Sequence, residues 1–285
     1  MVTIYSILKE SSCYHISSHN PTFLLIMINQ IITATKPLRY AWSAITYPRH
    51  RMAAELEKWR NVFEGKPLLV IGNGPSLNET PLDSFLNVPS IGMNKIDLIY
   101  NRTNWRPSLV VCVNNLVVNQ GWNNFLNSDV PVYLSWKSRR FIPASHRNKF
   151  QYFLSLNSNS FSQDIVAGIG SSSTVTYTAL QFAYFTGANP VILFGVDHYF
   201  KDKGKPNKIE RREDSDMNHF DNNYFASGQY WCLPDLDQSE IDYQLAKIAF
   251  ENAGKNILDA TIDGKLEIFE KISVSDAHSI CQSQQ

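Results

Sequence analysis

The chain has no excess charge of either sign. Its 285 residues include 26 Lys+Arg and 26 Asp+Glu, a formal net charge of zero. A general nucleic-acid binder carries a basic excess, so that class is excluded and only a local patch remains for a polyanion. Cysteine is scarce. The four cysteines, at 13, 112, 232 and 281, form no C-x-x-C pair, which excludes a zinc knuckle or a thioredoxin-like motif. Four scattered thiols in a chain of this length are no disulfide framework and fit a reducing, cytoplasmic setting. Long apolar runs are missing too. The run Phe23–Ile32 is about ten residues long and is broken by Asn29 and Gln30, against about 20 residues for a membrane span. There is no internal repeat and no low-complexity tract. What remains is a 44% hydrophobic, 18% charged composition, ordinary for a globular protein with a sizeable core.

Residues 1–62 read as a partly helical N-terminal extension. A helix packed on the main domain or on a second subunit is one reading of its apolar run. The other is peripheral contact with the inner face of a membrane, supported by Lys36, Arg39, Arg49 and Arg51 downstream. Arg51–Phe63 has Leu56, Trp59 and Phe63 at helical spacing and ends at Gly65-Lys66-Pro67. Residues 276–285 are polar and read as a flexible tail.

From Pro67 to about residue 275 short apolar runs alternate with helical stretches. Leu68–Ile71, Ile91–Asn94, Leu109–Val113, Val130–Leu134 and Val191–Phe194 read as buried strands. Ser173–Thr186 and Ser239–Ala253 read as helices, and Asn256–Asp259 and Leu266–Phe269 as closing strands. Continuous apolar strands separated by helices predict a Rossmann-like α/β fold, a mostly parallel sheet covered on both faces. Ligands in such sheets bind at the carboxyl ends of the strands. Three polar segments fall there: Gly72–Asn78, Asn94-Lys95 and Gly195–Tyr199.

The turn Gly72-Asn73-Gly74-Pro75-Ser76 follows directly on a strand. Its glycines permit a sharp bend and close backbone approach, and Pro75 suits the first position of a helical turn. Ser76 and nearby N–H groups would then face an anion. It is neither a Walker A loop nor G-x-G-x-x-G, and a plain strand-to-helix turn is the alternative. Ser172 and Ser173, at the start of the long helix, suit an anion or a helix cap equally. Lys201–Asp221 mixes six basic and six acidic residues with no apolar period. It reads as a solvated loop, or as a lid whose cations meet phosphate or an acidic sugar. The aromatics after it, Phe220, Tyr224, Phe225, Tyr230 and Trp231, suit either an acceptor floor or packing of that lid. Asp214-Ser215-Asp216 matches D-x-D by letter but sits in the charged loop rather than at a strand end, and is discounted.

Gly72–Leu77 after a strand, Asn94 after the next, and Gly195-Val196-Asp197-His198-Tyr199 after a later one together resemble a family. So do Asp216–Asp221 (DMNHFD) and Asp259–Glu267 (DATIDGKLE). The family is that of the MptE-like proteins, related to the archaeal 6-hydroxymethylpterin pyrophosphokinase. It is similar to the bacterial sialyltransferases of glycosyltransferase family 42 and to motility-associated proteins that glycosylate flagellin. The resemblance implies that Gly72, Asn73, Gly74, Pro75, Ser76, Asn94, Ser172, Ser173 and Asp197 bind a nucleotide. It implies a catalytic base at His219, with His198 as competitor and Asn223 if the alignment shifts by four, and a phosphate contact at Tyr199 or Tyr224. Many relatives have an acidic residue soon after the third strand, where this chain has Asn114-Asn115.

Three functions follow as expectations. The first is glycosyl transfer from a CMP-linked, sialic-acid-like sugar to a glycan or lipid-linked acceptor, in surface glycan synthesis. It requires no metal and no other cofactor, because a CMP leaving group carries one phosphate. The second is transfer of pyrophosphate from ATP to a pterin alcohol, which needs Mg²⁺ held by carboxylates such as Asp197, Asp216 or Asp221. The third is a nucleotide- or glycan-binding protein without catalysis.

Overall fold

The structure is a computed structural model that describes residues 30, 31 and 33–283. The apolar run Phe23–Ile32 lies outside the described residues except for Gln30 and Ile31. In chain order, α1 (Lys36–Thr46) and α2 (Arg49–Glu57) precede β1 (Leu68–Ile71), β2 (Ser90–Met93), β3 (Leu109–Cys112), α3 (Asn115–Gly121), β4 (Val132–Ser135) and β5 (Gln151–Phe153). Then come α4 (Val175–Phe185), β6 (Val191–Phe194), β7 (Ile209–Arg211), β8 (Tyr230–Cys232), α5 (Leu236–Asn252), β9 (Ile257–Asp259), β10 (Glu270–Lys271) and α6 (Val274–Ser283). Eight strands form one sheet in the order β10-β9-β6-β1-β2-β3-β4-β5, and every neighbouring pair is parallel. The expected α/β architecture is therefore the one observed.

The pattern of β1 shows why. Leu69 and Ile71 face one hydrophobic cluster, while Leu68 and Val70 face the other, beneath α4 and α5. This is the two-residue alternation of a strand, with both faces covered. All four side chains are 0% exposed. Each is worth about 1.5–3 kcal/mol on burial, so the strand that carries the glycine turn is anchored by about 6–12 kcal/mol.

Several boundaries differ from the sequence reading. The chain forms two compact units that meet between Trp42 and Ser43. Tyr47, Met52 and Leu56 are buried with the larger unit, because α2 presents apolar residues to the sheet. The helix expected to run to Phe63 ends at Glu57, and turns follow it. α5 starts at Leu236, ahead of Ser239, because the Asp235 carboxylate caps it by accepting from the Gln238 N–H at 3.2 Å. Leu266 and Phe269 are buried as expected of a strand, but the pairing falls on Glu270–Lys271. The expected flexible tail is a helix through Ser283, with Ala277 and Cys281 buried. Its apolar positions four residues apart make one helical face, which the polar composition of the segment obscures. Residues 201–221 contain β7, which pairs antiparallel with β8 as a separate ribbon.

Candidate functional site

Strand order reverses around β1. From it, β2 to β5 extend one way and β6, β9 and β10 the other. Such a reversal opens a crevice at the carboxyl ends of the strands. Gly72 leaves β1 and Gly195 leaves β6. A Cβ on Gly72 would lie 2.1 Å from the Gly195 carbonyl oxygen, so the two turns approach this closely only because residue 72 lacks a side chain. Gly195 has φ +67°, in the region that favours glycine.

Pro75–Asn78 forms one 3₁₀ turn with Pro75 at its first position, as its ring geometry suits. The anion this turn faces is the chain's own. Asp197 accepts from the Ser76 N–H at 3.0 Å and from the Ser76 hydroxyl at 2.7 Å. Burial raises the Asp197 carboxyl above the usual range, opposed by those two hydrogen bonds. The second serine turn is built likewise. Thr174 caps α4 by accepting from the Thr176 N–H at 3.2 Å, and the Ser173 N–H donates to buried Asp242 at 2.9 Å. Burial also raises the Asp242 carboxyl, against the Ser173 and Gln238 hydrogen bonds. Asn114, where many relatives are acidic, caps α3 by accepting from the Leu116 N–H at 2.9 Å.

Around these turns lies a cleft of about 500 Å³. Of the residues expected to bind the nucleotide or act in catalysis, all line it except Pro75, Ser76 and Asn223, and Ser76 is bonded to Asp197. Asn73 donates to the Met93 carbonyl at 3.0 Å, tying the first turn to the end of β2. The side-chain oxygens of Asn73 and Asn94 are buried without a hydrogen-bond partner. Such orphaned acceptors cost about 1–3 kcal/mol each unless a donor reaches them. The far wall is apolar, made by Phe200, Phe225, Trp231, Leu233 and Leu236. Of the five aromatics of the 220–231 stretch, Phe220, Tyr224, Phe225 and Trp231 are buried, while Tyr230 is 44% exposed.

His219 is held from behind. Its Nδ1 lies 2.8 Å from Asp216 Oδ2, and its ring stacks flat on Tyr224 with centroids 3.9 Å apart. Asp216 is 0% exposed. It also accepts from Arg212 at 3.1 Å, the Asn218 N–H at 2.9 Å and the Phe225 N–H at 3.2 Å. Burial pushes the Asp216 carboxyl up. Its hydrogen bond to His219, with the Asn218 N–H and the Arg212 charge, outweighs that and holds it below the usual carboxylate range. A carboxylate at Nδ1 fixes the proton there and leaves Nε2 as the acceptor nitrogen. His198 also lines the cleft, but its Nε2 is 3.0 Å from Glu240 Oε1, and its backbone has φ +53°. Asn223 is not among the cleft-lining residues. Tyr199 stands at the wall, 52% exposed.

Two cations near the cleft act on the protein rather than toward a ligand. Arg212 donates to Asp202 at 2.6 Å as well as to Asp216, and its guanidinium lies over Trp231. Lys95 is 6% exposed. Its ammonium donates to the Tyr224 carbonyl and to Gln229, and sits 4.9 Å from the Phe225 ring centroid. Burial lowers its pKa, against the pull of Asp97 and Asp216. Among the described residues, no Lys or Arg lines the cleft. The charged loop therefore contributes His219 to the site while Arg212 binds within the loop. Sequence reasoning did not assign Asp216 as the partner of His219, nor Arg212 and Lys95 to bonds within the protein. The one signal available was the D-M-N-H string itself, with an acid three residues before a histidine.

Residues 47–203, more than half of the chain, match the 6-hydroxymethylpterin diphosphokinase MptE-like family. The chain belongs to that family. The MptE-like match takes in both glycine turns, Asn94, the serine turn and Asp197–Tyr199, and stops short of Asp216 and His219. Among solved structures, the MAf glycosyltransferase from Magnetospirillum magneticum AMB-1 aligns at 14% identity with a TM-score of 0.49. The alignment covers 83% of this MptE-like chain and 41% of that one, so the chain spans well under half of that protein's length. No curated protein matches the chain.

Proposed function

We propose that this MptE-like protein is a transferase acting on a nucleotide-activated donor, and that the group it moves is a glycosyl unit from a CMP-linked, sialic-acid-like sugar. The acceptor is a hydroxyl of a surface glycan or a lipid-linked glycan. The observation that supports the reading is the buried Asp216 behind His219 in a cleft lined by no Lys or Arg among the described residues. The nucleotide lies across the Gly72–Gly74 turn, Asn94 and Ser172-Ser173. Donors on the base or ribose meet the orphaned oxygens of Asn73 and Asn94. His219 Nε2 takes the acceptor proton as the acceptor oxygen bonds the anomeric carbon. The bond from that carbon to the phosphate oxygen breaks, and its electron pair leaves on CMP, with the Tyr199 hydroxyl donating to the phosphate. A lining without Lys or Arg suits one phosphate better than three.

The family match favours a second reading, Mg²⁺-dependent transfer of pyrophosphate from ATP to a pterin alcohol. Magnesium needs carboxylate oxygens free to bind it. Asp221 does not line the cleft, Asp197 holds Ser76 through both oxygens, and each oxygen of Asp216 accepts from two donors. Among the described residues no group of three or more His, Cys, Asp or Glu is placed to hold a metal ion, and no step is derived through magnesium.

Calorimetry with CMP, CDP, UDP and ATP, each with and without Mg²⁺, separates the two. Metal-independent CMP binding supports glycosyl transfer. Mg²⁺-dependent ATP binding with no response to CMP replaces it with the second reading. Once a donor is found, His219→Ala abolishes transfer with CMP affinity within about threefold, a general base being worth about 10²–10⁴ in rate. If His198→Ala abolishes transfer and His219→Ala does not, the base is assigned wrongly.

A further inference from the structure

A second cavity, of about 440 Å³, lies on the sheet face shared by Leu69 and Ile71. Its floor is Val110 of β3 and Val132 of β4, which are register partners in the sheet. Two 3₁₀ turns wall it. Ile96–Ile99 follows β2 and brings Asp97, with Tyr100 at its end, and Trp122–Asn127 follows α3 and brings Phe125. Among the described residues, Asn94 alone lines both this cavity and the cleft, so it is the wall between them.

The polar groups of this cavity lack partners. Asp97 Oδ1, the Tyr100 hydroxyl and Asn94 Oδ1 are all buried without a hydrogen bond. Buried polar atoms in a folded protein are nearly always paired, so three around one cavity call for a ligand or for water. The carboxylate and amide oxygens only accept, and the hydroxyl can also donate. Among the described residues no Lys or Arg lines the cavity, and Asp97 carries its only formal charge. The nearby cations are engaged elsewhere. The Lys95 ammonium donates to the Tyr224 carbonyl and to Gln229. The Arg106 guanidinium donates to the Trp105 and Tyr100 carbonyls and lies 4.2 Å from the Tyr100 ring centroid. Burial raises the Asp97 carboxyl above the usual range, against a hydrogen bond from its own N–H and the charge of Lys95. The complement of such a wall is an apolar body that carries N–H donors and a positive charge, and an anion is disfavoured there.

We propose that this cavity binds a small organic amine, with its ammonium at Asp97 and the Tyr100 hydroxyl and its apolar body against Val110, Phe125 and Val132. The site is separate from the cleft and does not depend on the proposed reaction.

Benzylamine and benzyl alcohol, alike in size and differing in one group, test it by calorimetry on the full chain at neutral pH. Benzylamine, an ammonium under those conditions, binds with a Kd of about 1 mM or tighter. Benzyl alcohol binds at least about tenfold more weakly, because it makes no charge-assisted hydrogen bond to the carboxylate. Asp97→Asn keeps the shape of the side chain, weakens benzylamine at least about tenfold and leaves the alcohol unchanged. Methyl NMR locates the ligand. The Val110 and Val132 signals shift, and those of Val175 and Leu236 in the cleft do not. Absence of benzylamine binding at about 10 mM overturns the inference and assigns the cavity to water. Equal binding of the alcohol overturns it too, as do shifts confined to the cleft or an unchanged benzylamine affinity in Asp97→Asn. If Asp97→Asn does not fold, the alcohol comparison and the methyl shifts decide.

Discussion

Replacing Asp216 with Asn tests the buried carboxylate without changing its shape. Asp216 Oδ1 accepts from Arg212 and the Asn218 N–H, and Oδ2 from His219 Nδ1 and the Phe225 N–H. An amide supplies one oxygen and one NH₂, so one of these donor pairs then faces a donor. On the Arg212 side, the guanidinium and the Asn218 N–H lose their acceptor. On the His219 side, the imidazole can shift its proton to Nε2 and accept at Nδ1, while the Phe225 N–H stays unpaired. The second arrangement is cheaper because it leaves one orphaned donor instead of two. A buried orphan costs about 1–3 kcal/mol, and loss of the charge partner of Arg212 and His219 adds to that. A total of about 3 kcal/mol lowers the melting temperature by about 6–12 °C at this chain size. The same substitution moves the histidine proton to the nitrogen that was to act as base, and fixing that tautomer is worth up to about 10⁴ in kcat where such a pair is catalytic. Two measurements check this without any substrate. A thermal melt reads the stability, and ¹⁵N NMR of the imidazole reads Nδ1–H in the wild type and Nε2–H in Asp216→Asn. A melt within about 1 °C of wild type, or the same tautomer in both proteins, refutes the reasoning.

The two glycines of the turn differ in the obstacle a methyl group meets. At Gly72 it is the Gly195 carbonyl oxygen at 2.1 Å, and at Gly74 it is first the Asp197 carboxylate at 1.8 Å, a side chain that can move. Thermal melts therefore show Gly72→Ala as the more damaging change, beyond the about 1–3 kcal/mol of ordinary overpacking, and equal melting points disprove the close approach of the two turns. The Asp197 carboxyl titrates above its unfolded value of about 3.9 because it is buried. Its ionisation thus opposes folding, and the wild type loses stability as pH rises from about 4 through the raised folded value. In Asp197→Asn the amide can still accept from the Ser76 N–H and donate to its hydroxyl. The melting temperature of the variant relative to wild type rises between pH 4 and 7, and a flat difference across that window contradicts the assignment.

The local chemistry of the chain determines much of the fold. Runs such as LLVI and VILF can only be strands buried on both faces. Gly72 and Gly195 mark the strand ends where the backbone must bend, and Pro75 starts a turn that its ring preforms. These effects act within a few residues, so the parallel sheet and the wall of the cleft could be read from the sequence. The roles of polar side chains could not, because a hydroxyl or N–H at a turn serves a ligand or a carboxylate equally well. Only the tertiary structure brings Asp197 onto Ser76 across 121 residues and Asp242 onto Ser173 across 69. It also turns Asp216, one letter of a discounted D-S-D string, into the support of His219. The helical ending was hidden for the same reason. Burial and partner choice depend on contacts between residues far apart in the chain, and composition over a short window does not contain them.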